Sequence, residues 1–285
     1  MTTNPVYRRE MMVSSRSIRL PLIIAGFNLI LAAFTLVSMF AAINSAKINA
    51  QIDYATFLNI FKYVTIIEFA LMIFTTPALT AGSISTEREH RTLDLMLTTK
   101  LTPARIIMGK IEASISSIGV LFISSLPILA LVFAYGGITV SSLVYILISF
   151  AGVIIFTASI GIYASSISRR TVAATAVAYA IVLIFIGGSA GLTILINNLT
   201  GSAGNWIFTF VTNPVATFYV IISFVTGNKN VLVQLASQLG TSTKGIGALK
   251  FFVLGMVIQF IISVIFILLS VKHVDTKVVK KYRKG

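Results

Sequence analysis

Residues 85–97, STEREHRTLDLML, put Glu87, Arg88, Glu89, Arg91 and Asp94 into eight consecutive positions between two long apolar runs. The chain around them is 56% hydrophobic and only 11% charged, and its mean hydropathy is +0.96. No soluble core accounts for that much apolar sequence, so the charged stretch reads as a loop at the edge of a membrane. Working outward, six apolar runs stand at about 21–43, 57–82, 111–135, 142–167, 172–196 and 249–271. Each is long enough to cross a hydrocarbon layer of roughly 30 Å as a helix rising 1.5 Å per residue. The expected fold is all-α, a single transmembrane domain over 1–285 with six spans.

Basic residues set the orientation, because Lys and Arg collect on the cytoplasmic side. Of the 22, 17 fall before the first span, between the second and third, after the fourth, or after the sixth. Both termini are therefore expected in the cytoplasm, in a cell membrane of bacterial plasma-membrane type. The first run is too long for the core of a secretory signal and reads as a retained helix. A net charge of +14 could suggest nucleic acid, but it is divided among short segments at one membrane face. Anionic lipid headgroups are the simpler partner. The absence of Cys removes disulfides, thiol chemistry and Cys-held metals.

Three non-spanning segments carry further pattern. Residues 1–20, with NPVYRREMMVSSRSIRL, mix Arg8, Arg9, Arg16 and Arg19 with apolar side chains and suit an interfacial helix. Residues 197–248 are strongly apolar in part, yet Asn213-Pro214 leaves too few residues after it for a span, so an extracellular re-entrant or interfacial helix is expected. Residues 272–285 form a basic tail.

The cytoplasmic region 83–110, extended by two residues to Glu112, holds half of the eight acids. Acids contribute little to orientation, so mixed charge beside Leu93, Leu95, Met96 and Leu97 reads as a protein-docking surface. Glu87 and Arg91, four residues apart in the favourable order, would support a helix by about 0.3–0.5 kcal/mol. Thr102-Pro103 reads as the cap and first turn of the next helix.

With its six spans and its NPVYRRE start, GSISTEREHRTLDLMLTTKLTPARIIMGK (residues 82–110) resembles the permease subunits of type-2 ABC exporters. In that family a similar motif leads into a coupling helix that docks on the ATPase. The resemblance assigns ATPase coupling to Glu87, Arg88, Glu89, Arg91, Thr92, Leu93, Asp94, Leu95 and Leu97. It implies ATPase subunits and a second permease as partners, with ATP and Mg held by the ATPase. Two positions depart from the pattern. Arg91 stands where Gly is usual, which makes a positive-φ turn less expected and a continuing helix more so, and Lys100 stands where Pro is common.

No Gly-rich phosphate loop occurs, and His90 and His273 lack ligand spacing, so neither ATP nor a metal is expected on this chain, nor catalysis. Away from their ends the spans hold one acid, Glu68. A charged carboxylate there costs roughly 2.5–3.5 kcal/mol, which marks it as functional. Thr65, Glu68, Met72 and Thr75 recur at three- and four-residue steps and form a candidate substrate path. The alternative is helix packing through a protonated Glu68. Pro77 and Pro127 are expected to kink their helices with freed carbonyls satisfied locally, and Gly187 with Gly191 forms a small patch for close helix approach.

Together these features predict the permease of an ATP-driven exporter. Two rivals stand beside it: a secondary transporter or channel using Glu68 as a proton or cation site, and a non-transporting immunity or scaffold protein. The mostly apolar spans suggest an amphipathic or cationic substrate, but its identity is not legible.

Overall fold

The computed structural model describes residues 4–49, 54–92, 102–136, 139–200, 207–239 and 246–282, and every regular element among them is helical. In order these are α1 (Pro5–Ser15), α2 (Arg19–Asn49), α3 (Tyr54–Thr80), α4 (Gly82–Glu89), α5 (Pro103–Gly136) and α6 (Val140–Ile167). Then come α7 (Thr171–Leu183), a π-helical turn (Ile184–Gly188), α8 (Ser189–Thr200), α9 (Ile207–Phe210), α10 (Pro214–Val225), α11 (Val231–Gln238) and α12 (Ala248–Tyr282). Six helical stretches are long and apolar enough to cross a membrane: α2, α3 with α4, α5, α6, α7 through α8, and α12.

The bundle is organised around α6, which packs on α3, α5, α7, α10 and α12. Of its apolar window 56% is buried, against 17% for α2, so α6 is central and α2 peripheral. Small residues allow this. Gly161 meets the Thr80 side chain of α3 so closely that a β-carbon would overlap its hydroxyl, and without a hydrophobic force between helices in lipid such close approach is what holds spans together.

The described parts of the four basic segments converge at one end of the bundle. Ile84 of α4, Ile107 and Ile111 of α5, Ile162 of α6 and Val274 of α12 form one buried cluster there. At that end Thr102 accepts from the Arg105 N–H at 3.4 Å and caps α5 behind Pro103, as expected. The helix α1 lies against α5: Val6 is buried, and a β-carbon on Gly109 would meet Asn4 and Val6 at 2.8 Å.

The other end is built by α9 to α11. The expected short helix after Asn213-Pro214 is α10, 12 residues long. Its Asn213 caps it by accepting from the Val215 and Ala216 N–H groups, and donates from Nδ2 to the Ile186 carbonyl at 2.8 Å. Ile186 lies in the π-turn, whose wide geometry frees a carbonyl that a regular helix would use. Phe218 of α10 stacks on Phe69 of α3 with centroids 3.8 Å apart. Helices α3 and α5 continue through Pro77 and Pro127. In the turn before Pro77, the Phe74 carbonyl accepts from the Tyr179 hydroxyl of α7 at 2.7 Å.

Helix α10 is held to α12 where Gly255 lies beneath Thr217, and Gln259 donates to the Thr217 hydroxyl at 3.0 Å. A β-carbon at 255 would overlap the Thr217 methyl. Gly255→Ala should therefore destabilise the permease by about 1–3 kcal/mol. Thr217→Ser, which removes the methyl and keeps the hydroxyl, should recover part of that loss in thermal unfolding of the double variant in detergent.

Candidate functional site

The charged stretch that opens the sequence begins as α4, a continuation of α3 past Ala81. Its first N–H groups are capped from another helix: Ser165 Oγ of α6 accepts from both Ile84 N–H and Ser85 N–H at 2.8 Å. The helix ends at Glu89. Thr92 N–H donates to the Glu87 carbonyl at 2.8 Å and Arg91 N–H to the Arg88 carbonyl at 3.1 Å, the paired bonds of a Schellman closure. Arg91 occupies its left-handed position with φ 59°. This corrects the expectation that the missing Gly lets the helix run on. The carbonyls at the helix end recruit the turn even at the expense of a β-carbon in left-handed geometry. It also removes the expected helical pair of Glu87 with Arg91, since Arg91 lies beyond the helix.

Glu87, Arg88 and Glu89 each engage a different part of the chain. Glu87 Oε1 lies 3.0 Å from Lys110 Nζ of α5 and 3.8 Å from Arg9 of α1. Arg88 donates to the Ser168 carbonyl at the end of α6 at 2.6 Å. Glu89 accepts from the Thr171 N–H and hydroxyl at 3.1 and 3.0 Å, at the start of α7. These bonds, the backbone one first, hold the exposed Glu89 carboxyl below the usual carboxylate range. The Glu89 contact is therefore present at neutral pH and is lost as the medium is acidified through that lowered value.

Lys110 joins the set together. Only 1% of its side chain is exposed, and its Nζ also reaches Glu10 of α1 at 3.0 Å and the Ser83 carbonyl at 2.6 Å. Leu93, Asp94, Leu95 and Leu97 lie outside the described residues, and Thr92 is the last residue before them.

Among the candidate path residues, Glu68, Thr65 and Met72 are fully buried. Glu68 Oε1 accepts from Ser125 of α5, while Oε2 finds no donor among the described residues. The hydroxyls of Thr65 and Thr75 turn back to the Phe61 and Leu71 carbonyls, so the partner of Glu68 is Ser125 and not its own stripe. A β-carbon on Gly187 or Gly191 would meet nothing within 4 Å, so that small patch makes no close helix approach among the described residues. No group of three or more His, Asp or Glu comes together among the described residues.

A family model described as ABC-2 family transporter protein matches residues 15–272. The chain belongs to the ABC-2 transporter family. It is the membrane permease component of an ABC transporter, whose family implies an ABC ATPase partner. No curated protein matches it.

In this ABC-2 permease the sequence reading located the charged stretch but missed its inward contacts. Lys110 counted only as one of the basic residues that orient the chain. The available signal was its place one residue after Gly109, inside an apolar face of α5 formed by Ile106, Ile107 and Ile111. Ser165 and Ser125 gave none, being serines among many in apolar helices.

The left-handed Arg91 leads to a test. Arg91→Gly removes the β-carbon from that geometry and should stabilise the permease by about 0.5–1 kcal/mol, the relief being reduced by the greater freedom of Gly in the unfolded chain. Arg91→Ala keeps the β-carbon and should give no gain, by thermal unfolding of both variants side by side.

Proposed function

We propose that this ABC-2 permease forms an exporter with a second permease, identical or homologous, and two separate ATPase subunits. It lies in a cell membrane with both termini in the cytoplasm. ATP and Mg bind to the ATPases, whose closure presses on the segment from Thr92 to Leu97, and the spans then open a path outward between the two permeases.

The observation that supports this reading is the anchoring of α4. A segment meant only to join two spans needs no fixed base. Here Glu87, Arg88 and Glu89 tie the base to α1, α5, α6 and α7, so a displacement of α4 reaches several helices at once. In this division of labour those three residues and Lys110 position the coupling segment, while Leu93, Asp94, Leu95 and Leu97 make contact with the ATPase.

Co-purification tests it. The permease should retain an ATPase of about 200–350 residues, the usual size of one or two compact domains. Asp94→Lys should weaken that retention while permease abundance stays normal, because charge-assisted contacts at an interface typically contribute about 2–5 kcal/mol when one partner is truncated. Neutralising Lys280 and Lys281 should leave it intact. Loss of ATPase with the tail change alone would assign docking to the tail.

Glu68 favours a second reading, a proton- or cation-driven carrier, because it is a fully buried carboxyl whose Oε2 meets no donor among the described residues. Glu68→Gln preserves shape and should keep assembly. In the exporter it should alter substrate-stimulated ATP hydrolysis if Glu68 lines the path. Transport that persists without any ATPase and is abolished by Glu68→Gln would establish the carrier instead.

A further inference from the structure

The helix α1 has two unlike faces. Its inner face seats Val6 against Gly109, sets the Tyr7 hydroxyl 3.5 Å from Ser116 of α5, and gives Glu10 to Lys110. Its outer face carries Arg8, Met12 and Arg16 at four-residue steps, all exposed. Beyond them Arg19 is exposed, as are Ile18 at 74% and Leu22 at 63%. Glu10 is the sole acid in the first 22 residues, and Lys110 draws it inward. What remains outside carries cations and apolar side chains and no acid. That combination matches an anionic headgroup layer above acyl chains. The face is also continuous with the exposed apolar residues Leu29, Ile30, Leu36 and Val37 of α2, which a soluble partner would not cover.

We infer that the outer face of α1 binds anionic membrane lipid, and that lipid held there fixes the position of α4 through the Glu10–Lys110–Glu87 contact. The inference rests on the coupling role proposed for the segment after α4. A helix of 11 residues is too short to be stable alone in water, so α1 keeps its place through its neighbours. Lipid on the outer face presses Glu10 against Lys110. Lys110 then holds Glu87 and the Ser83 carbonyl, and α4 is fixed from its first turn to its last. Without anionic lipid α1 loosens and Lys110 loses one of its two carboxylates. The coupling segment then starts from a less defined base. Each arginine near an anionic surface favours partition by about fivefold, so Arg8, Arg16 and Arg19 together give about a hundredfold.

The natural lack of Cys allows site-specific spin labels at Met12→Cys on α1 and at Thr86→Cys, exposed on α4. The full-length permease, without ATPase, is placed in nanodiscs of phosphatidylcholine alone or with about a third phosphatidylglycerol. With the anionic lipid, the label at 12 should become accessible to a lipid-soluble relaxant and the label at 86 should lose mobility. Replacing Arg8, Arg16 and Arg19 by Gln should abolish both responses. Glu10→Gln, milder than any change at Lys110, should keep the immersion of position 12 and abolish the response at 86. An immersion independent of lipid charge would overturn the binding surface. A response at 86 that survives Glu10→Gln would overturn the Lys110 link. Loss of ATPase binding by the triple Gln variant in neutral lipid would assign the face to the ATPase instead. Because the label measurements contain no ATPase, failure of any ATPase to associate would count against the exporter reading and not against the lipid surface.

Discussion

A lysine with 1% of its side chain exposed is tolerated only where its charge is matched. The ammonium of Lys110 meets carboxylates of α1 and α4 and a carbonyl of α4 from its own place on α5. Without its two carboxylates the ammonium would stand unpaired in a site that water does not reach, which is strongly unfavourable. The three helices therefore cannot be rearranged independently. Everything else at that end follows from this: Gly109 lets α1 approach α5, Asn4 donates to the Arg105 carbonyl at 2.8 Å, and Arg9 adds a second cation near Glu87.

The same demand for satisfied polar groups shapes the opposite end, with the backbone in place of charge. Asn-Pro-Val occurs at 4–6 and again at 213–215, and both times Asn caps the helix that Pro begins. Both times its amide also donates to a carbonyl of another helix, Arg105 for one and Ile186 for the other. In lipid an irregular turn persists only where its freed groups find partners. The π-turn of Ile184–Gly188 meets that condition because Asn213 reaches Ile186 and Ser189 donates to the Phe185 carbonyl at 2.7 Å.

The spans were legible because lipid imposes a long apolar run, and no competing arrangement of a run such as 249–271 exists. Helix starts with a local signature were legible too, Thr102-Pro103 and Asn213-Pro214 among them. The end of α4 was not. Its closure depends on backbone geometry that Arg91 adopts against its own preference, and the residue type argued the other way. The candidate site was half legible. Local charge density identified Glu87 to Asp94, but the partners Lys110, Ser168 and Thr171 lie about 20 to 80 residues away in sequence. Only the packing of α4 against α5, α6 and α7 brings them near. Ser125 opposite Glu68 is the same case, a contact between two spans with no pattern to announce it.

The order of the three charges in α4 then has a physical reason. Helix α6 ends at Ile167 and α7 begins at Thr171, so the turn between them presents free carbonyls and free N–H groups almost side by side. The first carry partial negative charge and the second partial positive charge. Arg88 goes to the carbonyl end and Glu89 to the N–H end, so each meets a dipole of opposite sign. Glu87, one residue earlier, points toward α5 and finds the buried lysine. Exchanging Arg88 and Glu89 would set like charge against like at both helix ends, although composition and net charge would be unchanged. The acids on an otherwise basic face are thus placed by the helix ends they satisfy. That is why Glu87, Arg88 and Glu89 are held against the bundle instead of projecting from it.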